Sequence, residues 1–186
     1  MSVTSYLYIV NRQSKTQIEG NPEEGPNSKT ATQDGKKTNN MMQIISSNLS
    51  IRNNWDSRSG QHADSPETNE VSLTIKWDNS MTVLFDSLMY GDDLDCKLYF
   101  FGKGIEKEGV DSKPHNWFTI ELIDSRLAMT DLFKPQTADS RMDEEVISIN
   151  ISFKAIRITD HDMKNATASY DWGDKTGEGD FPIGLA

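Results

Sequence analysis

The sequence contains one cysteine, three histidines and few basic residues, and each scarcity excludes a class of protein. A disulfide needs two cysteines, so Cys96 cannot form one within the chain, and we interpret it as a small buried residue in a strand. Lysine and arginine total 19 against 29 acidic residues, which gives a net charge of −10. Because nucleic acid binding depends on clustered cations at phosphates, this charge argues against a nucleic acid partner.

Long hydrophobic runs are also missing. No apolar stretch approaches the roughly 18 residues of a membrane span, and residues 6–10 form too short an apolar stretch for a signal peptide. We therefore expect no membrane insertion, no signal peptide and synthesis in a cytoplasm. Hydrophobic residues make up only 35% of the chain, which argues against a helical bundle rich in leucine and alanine.

Two long polar segments and a polar C-terminus flank or interrupt the apolar part of the chain. Residues 21–40 and 53–70 carry turn signals and few apolar residues, so we predict two loops. Loops of this length are commonly functional or disordered, and we favour an interaction role for at least one of them. Residues 173–186 are rich in Asp and Gly and predict a flexible acidic tail, which leaves 1–172 as a single domain.

Alternating apolar and polar residues predict about seven strands, at 6–10, 44–51, 71–77, 98–101, 117–123, 126–133 and 147–158. Apolar positions in the last of these strands change face between residues 155 and 156, which indicates a bulge or a bend. Closely spaced strands of this kind favour a sandwich or a barrel.

One helix is predicted at about 81–90, between the N-cap candidates Asp78, Asn79 and Ser80 and the C-terminal stop Gly91. Its apolar residues repeat at helical spacing and predict a stripe that packs on the barrel core. The stripe consists of Met81, Leu84, Phe85, Leu88 and Met89.

Residues that could perform chemistry are isolated from one another in the sequence. None of His62, His115 and His161 has a second histidine or a cysteine at metal-ligand spacing. The acidic group at 92–95 lacks the remaining ligands of a calcium loop, so we interpret it as a solvated turn. Residues 160–162 could supply metal ligands or a base, but they lie just past a strand in a polar segment, so we interpret them as a solvated turn as well. We therefore predict no enzyme activity, no cofactor and no metal site.

Four places in the chain match one known family in their order. They are the strand 73–76 with Asp78, Ser80 and a short helix ending at Gly91; the strand 118–124; the strand 149–158 with a later Trp172; and the opening strand and turn at 6–9 and 18–20. In this order they resemble the Hcp (haemolysin-coregulated protein) family, the tube protein of type VI secretion systems. Met81 stands where the family usually has proline, and residues 21–40 look like an insertion.

The resemblance implies a mainly β fold, a two-sheet β-barrel with one flanking helix, as in phage tail tubes. It also implies hexameric rings that stack into a tube, with effector proteins in the channel and a contractile sheath and tip spike as partners. The protein would then be made in the bacterial cytoplasm and secreted through the apparatus. Candidate ring-stacking residues lie in the second polar loop: Trp55, Asp56, Arg58, His62, Asp64 and Glu67.

Two other functions stay open at the level of the sequence. The first is a tail-tube protein of another phage-like contractile device. The second is a monomeric carbohydrate-binding β-module, in which Trp55, Trp77 and Trp117 would form a stacking platform.

Overall fold

The structure is a computed structural model that describes residues 4–20, 32–33, 36–37, 40–52, 67–68, 70–102, 115–133, 145–163, 165–173 and 176–180. Within these residues the chain forms strands and one helix. In chain order they are β1 (Thr4–Asn11), β2 (Gln17–Ile18), β3 (Thr32–Gln33), β4 (Lys36–Lys37), β5 (Met42–Asn48), β6 (Ile51–Arg52), β7 (Glu67–Thr68), β8 (Val71–Lys76), α1 (Met81–Tyr90), β9 (Leu94–Gly102), β10 (His115–Phe133), β11 (Val146–Asp160), β12 (Ala166–Asp171) and β13 (Thr176–Asp180).

Six antiparallel strands close a barrel in the order β10-β9-β1-β5-β8-β11, because β11 pairs with β10 as well as with β8. The closure removes most of the free strand edges that an open sheet would expose. Alternate residues of these strands point inward and form the main apolar core, which includes Leu7, Leu73, Leu98, Leu122 and Ile149. A second buried cluster lies on the other side of β1 and β9 and consists of Tyr6, Tyr8, Met41, Tyr99 and Phe101. The predicted mainly β barrel is confirmed.

The long strands β10 and β11 each run through two sheets. Asp124 has a positive φ of 50°, and the pairing of β10 with β9 shifts register between Leu122 and Ser125. On β10 the buried residues are even-numbered up to Leu122 and odd-numbered from Ser125. On β11 the buried residues are odd-numbered up to Ile151, and the next buried residue is the even-numbered Ile156. This is the face change that the sequence indicated in β11, and the irregular backbone that accompanies it lies on β10.

The bend divides the barrel wall into two parts. The first sheet consists of β9, the N-terminal half of β10, the C-terminal half of β11, and then β12 and β13. The second sheet consists of β5, β8, the N-terminal half of β11 and the C-terminal half of β10. Strand β1 joins the two sheets because it pairs with both β9 and β5.

Helix α1 spans the predicted residues and connects β8 to β9. At its start the Asp78 carboxylate accepts hydrogen bonds from the backbone N–H of Ser80, at 2.8 Å, and from the Ser80 hydroxyl. At its end Gly91 has a left-handed φ of 65°, and its N–H donates to the Leu88 carbonyl. The predicted helix and its glycine stop are confirmed.

Pairing between strands changes several details of the predicted order. The predicted strand 44–51 is divided between β5 and β6, which lie in different sheets. The predicted strands 117–123 and 126–133 are one continuous strand, β10, with the bend between them. Strand β12 was not predicted although Ala166, Ala168 and Tyr170 alternate with polar residues, because two of its three apolar positions are alanine, which is a weak strand former. Five residues of the predicted tail, Thr176–Asp180, form β13 and pair with β12 through the backbone, which needs no apolar side chains. Flexibility of the remaining tail stays a prediction.

Candidate functional surfaces

The loop predicted to mediate stacking lies largely outside the described residues. Trp55, Asp56, Arg58, His62 and Asp64 belong to the part that is not described, and Glu67 is described only as backbone in β7. Strands β6 and β7 pair through Ile51 with Thr68 and Arg52 with Glu67. The two ends of the segment 53–66 are therefore held side by side at one place on the barrel.

Helix α1 buries a narrower face than its sequence predicted. Leu84 is fully buried in the core, and Met81 and Leu88 pack against the core from either side. Phe85 is 49% exposed, which corrects the prediction that it belongs to the helix core. The reason is the rotation of the helix, which points Leu84 and the small Ser87 at the barrel and leaves Phe85 on the flank.

The outward side of α1 is apolar and carries little charge. Its exposed large side chains are Val83, Phe85, Met89 and Tyr90, and Met89 and Tyr90 are more than two-thirds exposed. Asp86 is the one charged residue of the helix. Such a cluster on a protein with a net charge of −10 is a surface on which another protein could pack.

The second sheet presents small uncharged polar side chains on its outward side. Two rows cross β5, β8 and β11, because Thr74 lies opposite both Ser46 and Ser148, and Ser72 lies opposite both Asn48 and Asn150. All six side chains are exposed or half-buried. We call them the neutral face: Ser46, Asn48, Ser72, Thr74, Ser148 and Asn150.

Charged residues lie at the edges of the neutral face. The first row ends on β10 at Asp131, which lies opposite Ser148, and the second ends at Met129. Lys76 follows Thr74 on the same side of β8. The sequence contained the signal for these rows, in the alternating Ser, Thr and Asn of β8 and β11, but did not show that these strands are neighbours.

The first sheet differs, because its outward side carries a row of charges. Glu121 of β10 lies directly opposite Lys97 of β9 and Arg157 of β11. Its carboxylate pairs with the Lys97 ammonium and, at 3.3 Å, with the Arg157 guanidinium. We call these three residues the charged row. Glu121 is the least exposed of the three, at 18% of its side chain, so it is enclosed by its two cations.

A second charged group lies where β1, β9 and the bend of β10 meet. The Arg12 guanidinium pairs with the carboxylates of Asp124 and, at 3.6 Å, Asp95. Arg126 pairs with Asp93 at 2.7 Å on the other side of the bend. The acidic residues that the sequence suggested as a solvated turn therefore help to hold the bend in place.

Two histidines among the described residues, His115 at the start of β10 and His161 just after β11, make side-chain hydrogen bonds. His115 Nε2 lies 3.0 Å from an Asp162 carboxylate oxygen. His161 Nε2 lies 2.9 Å from the Thr119 hydroxyl, and its Nδ1 lies 2.8 Å from the Asn165 side-chain oxygen. The His115 ring contacts the turn that follows β11, and the His161 ring links that turn to β10. Both rings therefore help to fix the turn.

Cys96 lies in the core, and the Ser125 hydroxyl approaches its sulfur at 3.3 Å. Burial raises the pKa of the Cys96 thiol to about 12. The neutral thiol is a poor nucleophile, so this environment fits the interpretation as a small apolar residue.

The tryptophan platform of a carbohydrate-binding module is not supported by the positions of its described members. The backbone N–H of Trp77 donates to the backbone carbonyl of Glu145, which precedes the first residue of β11. The backbone carbonyl of Trp117 accepts from the backbone N–H of His161, which follows the last residue of β11. Trp77 and Trp117 therefore lie beside opposite ends of β11, which is 15 residues long. Trp117 packs instead against Phe118, with ring centroids 5.3 Å apart.

Metal sites and membrane-spanning helices are absent from the described residues. No group of three or more histidine, cysteine, aspartate and glutamate side chains could hold a metal ion among them. In the same part of the chain no helix is long and apolar enough to cross a membrane.

Comparison with known proteins gives one family and one fold. The sequence model of the family described as type VI secretion system effector, Hcp, matches residues 24–159. No curated protein sequence matches the chain.

Solved structures similar to the chain come from several bacteria. A variant of Hcp1 from E. coli shares 13% identity and a TM-score of 0.71, over 92% of this chain and 99% of the other. Hcp1 from Salmonella typhimurium shares 15% identity and a TM-score of 0.61, over 95% and 100%. The secreted protein Hcp3 from Pseudomonas aeruginosa shares 13% identity and a TM-score of 0.61, over 92% and 99%. At these identities the structures establish the fold.

Proposed function

Since the chain belongs to the Hcp family and is a type VI secretion tube subunit, we propose that it forms homohexameric rings that stack into the inner tube. The channel of this tube carries effector proteins. The observation that supports the proposal most is the family match over residues 24–159, which covers five of the six barrel strands, all but β1. A closed ring needs two different surfaces on each copy, and an asymmetric barrel with one helix offers them.

The remaining partners of this tube subunit are a contractile sheath around the tube and a spike protein at its tip. The Hcp family is structural, and the role we propose for this chain involves no catalytic step. Hcp proteins are secreted by the type VI system. We propose accordingly that this chain is made in the bacterial cytoplasm and leaves the cell with the tube.

The ring is tested by its mass and its shape. Size-exclusion chromatography with light scattering is expected to give six times the mass of one chain. Negative-stain images of the same peak are expected to show uniform rings with a central hole. A monodisperse monomer at high micromolar concentration would contradict the tube function.

Stacking is proposed to depend on the loop 53–70. Because β6 and β7 hold the ends of 53–66 together, this segment can be replaced by the two-residue turn Asn-Gly without separating the strands. We expect intact rings but impaired tube formation and impaired export in a contact-killing assay. Unchanged export would mean that the loop is only a spacer.

Stacking is also expected to respond to salt, because each ring multiplies the charge of −10 by the number of copies. Like-charged rings repel at low ionic strength, and salt screens this repulsion. Sedimentation of purified rings at about 0.05 M and about 0.5 M NaCl is expected to give longer stacks at the higher salt. Equal lengths would mean that local contacts between rings outweigh the net charge.

A further inference from the structure

The turn that follows β11 joins the barrel to the rest of the first sheet, because β12 pairs with β11 and β13 pairs with β12. The Asp160 carboxylate accepts hydrogen bonds at 3.0 Å from the backbone N–H groups of Asp162 and Met163. The backbone N–H of His161 donates to the Trp117 carbonyl at 2.8 Å. The His161 ring therefore starts from a fixed position beside β10.

Asn116 is buried near this turn, at the register shift between β9 and β10. One end of its side-chain amide lies 2.9 Å from the carbonyl oxygens of both Phe100 and Phe118. Two carbonyl oxygens require a donor, so the amide nitrogen occupies this end and donates to both. The amide oxygen then occupies the other end, 2.9 Å from the Thr119 hydroxyl. Because an amide oxygen can only accept, the Thr119 hydroxyl is the donor in this contact.

The His161 ring continues this chain of hydrogen bonds. Its Nε2 lies 2.9 Å from the Thr119 oxygen, and the one hydroxyl proton is directed at Asn116, so Nε2 carries a proton and donates. Its Nδ1 lies 2.8 Å from the side-chain oxygen of Asn165, which is also an acceptor, so Nδ1 donates as well. Two donating nitrogens are the pattern of the imidazolium cation. We call Asn116, Thr119, His161 and Asn165 the histidine network.

The ionisable groups in the same turn are acidic. Asp160 and Asp162 flank His161 in the chain, and the Asp160 carboxylate holds the backbone of the turn. The Asp162 carboxylate lies 3.0 Å from Nε2 of His115, at the start of β10. His115 is thus a second titratable ring at this end of the barrel, and it contacts a different partner. Acidic surroundings of this kind suit a cation.

The strands beside the histidine network add little charge in the described residues. Tyr99 of β9 and Thr159 of β11 lie opposite Thr119, and the same row continues to Thr167 of β12 and ends at Asp180 of β13. The charged row is the next row along the same face, and its two cations pair with its own carboxylate. The described charges that face the turn are therefore those of the turn itself, His115 and the distant Asp180.

From this geometry we propose that the turn after β11 is a proton-responsive element, in which doubly protonated His161 holds Asn165 and anchors β12 and β13 to β10. As the pH rises through about 5–8, where histidine side chains exchange a proton, the ring loses one of its two donors. The Asn165 amide can then turn over and donate to Nδ1, but a bond between neutral groups is about half as strong as one to a charged donor. The turn is therefore held tightest at low pH and loosens as the pH rises. This inference does not depend on the proposed ring function.

Hydrogen–deuterium exchange followed by mass spectrometry tests the turn in the full-length protein. Peptides that cover residues 161–171 are compared at about pH 5.5 and about pH 8.5, after correction for the intrinsic pH dependence of exchange. We expect about fivefold higher protection at the lower pH, and a change of less than about twofold in β8 of the second sheet. Equal protection of the turn at both pH values would overturn the inference.

Three variants identify the group that responds. His161→Gln removes the titratable ring, and Asn165→Gly removes the acceptor while glycine keeps the left-handed φ of 60° at this position. Both variants are expected to lose the pH dependence of the turn. His115→Gln is the matched control, a histidine of the same turn region outside the histidine network, and is expected to retain it. Loss in His115→Gln together with retention in His161→Gln would assign the response to the pair of His115 and Asp162 and overturn the inference.

A further variant is expected to strengthen the response. Asn165→Asp supplies a carboxylate, which accepts from the cation but cannot turn over to donate to the neutral ring. Aspartate also tolerates the left-handed backbone at this position. The protection of residues 161–171 is expected to differ by more than about tenfold between the two pH values. A difference no larger than that of the unmodified protein would overturn the inference, because a merely structural role would not depend on which group faces Nδ1.

Discussion

The outward sides of the two sheets have different chemistry although they cover the same core. On the first sheet Glu121 is enclosed by Lys97 and Arg157, so neighbouring strands are linked by ion pairs. On the second sheet the equivalent positions hold Ser, Thr and Asn, such as Thr74 and Ser148. Both sheets contribute aliphatic residues to the same core. In the proposed ring the two outward sides would meet different surroundings.

The largest expected effect concerns the core on which both sides depend. Leu84→Asp places an unpaired charge among buried apolar residues and is expected to cost more than about 4 kcal/mol of unfolding free energy. The matched control is Phe85→Asp, one residue along the helix and half exposed, which is expected to cost less than about 1 kcal/mol. Thermal unfolding followed by circular dichroism measures both variants. Equal losses would mean that the helix is rotated differently.

A smaller effect is expected in the charged row. Glu121→Ala leaves Lys97 and Arg157 without their shared carboxylate, and we expect a loss of about 1 kcal/mol at low salt. The loss is expected to shrink in about 1 M NaCl, where the Debye length is about 3 Å. Urea unfolding at both salt concentrations measures it, with Glu121→Gln as the variant that keeps the shape. A loss independent of salt would point to packing instead of charge.

A comparable effect is expected at the connection between the two sheets. Gly91 ends α1 in a left-handed conformation, and a Cβ there would meet no atom within 4 Å, so only backbone strain opposes a side chain. Gly91→Ala is expected to cost about 1 kcal/mol, and Gly91→Asn less, because asparagine tolerates this conformation better. Urea unfolding compares the two variants. Equal costs would mean that strain of the left-handed backbone does not set the cost of replacing Gly91.

The smallest effect is expected on the neutral face. Ser148→Ala removes one hydroxyl group from a half-buried position and is expected to change stability by less than about 0.5 kcal/mol, with no dependence on salt. The same urea experiments as for Glu121 measure it. A salt-dependent loss would remove the distinction between the two sides.

The sequence was sufficient for the local elements and insufficient for the surfaces. Alternation in β8 and β11 and the spacing of α1 depend on near neighbours, so their bounds could be predicted to within a few residues. The pairing of Ser72 with Asn150, and of Glu121 with Lys97 and Arg157, joins residues far apart in the chain. The sequence also could not show which apolar residues of α1 face the core. Leu84 and Phe85 both fit the helical spacing of the apolar stripe, yet only Leu84 is buried.

The bend in β10 and β11 has a mechanical consequence. Each strand continues through both sheets, so the sheets are joined by covalent backbone as well as by packing. A load that pulls the sheets apart near Asp124 therefore acts along the backbone of two continuous strands. The ion pair between Arg12 and Asp124 stabilises the bend at that point. In the proposed tube, a contracting sheath would place a load on each subunit. The bent hairpin would let each subunit transmit a sudden thrust without separating its two sheets.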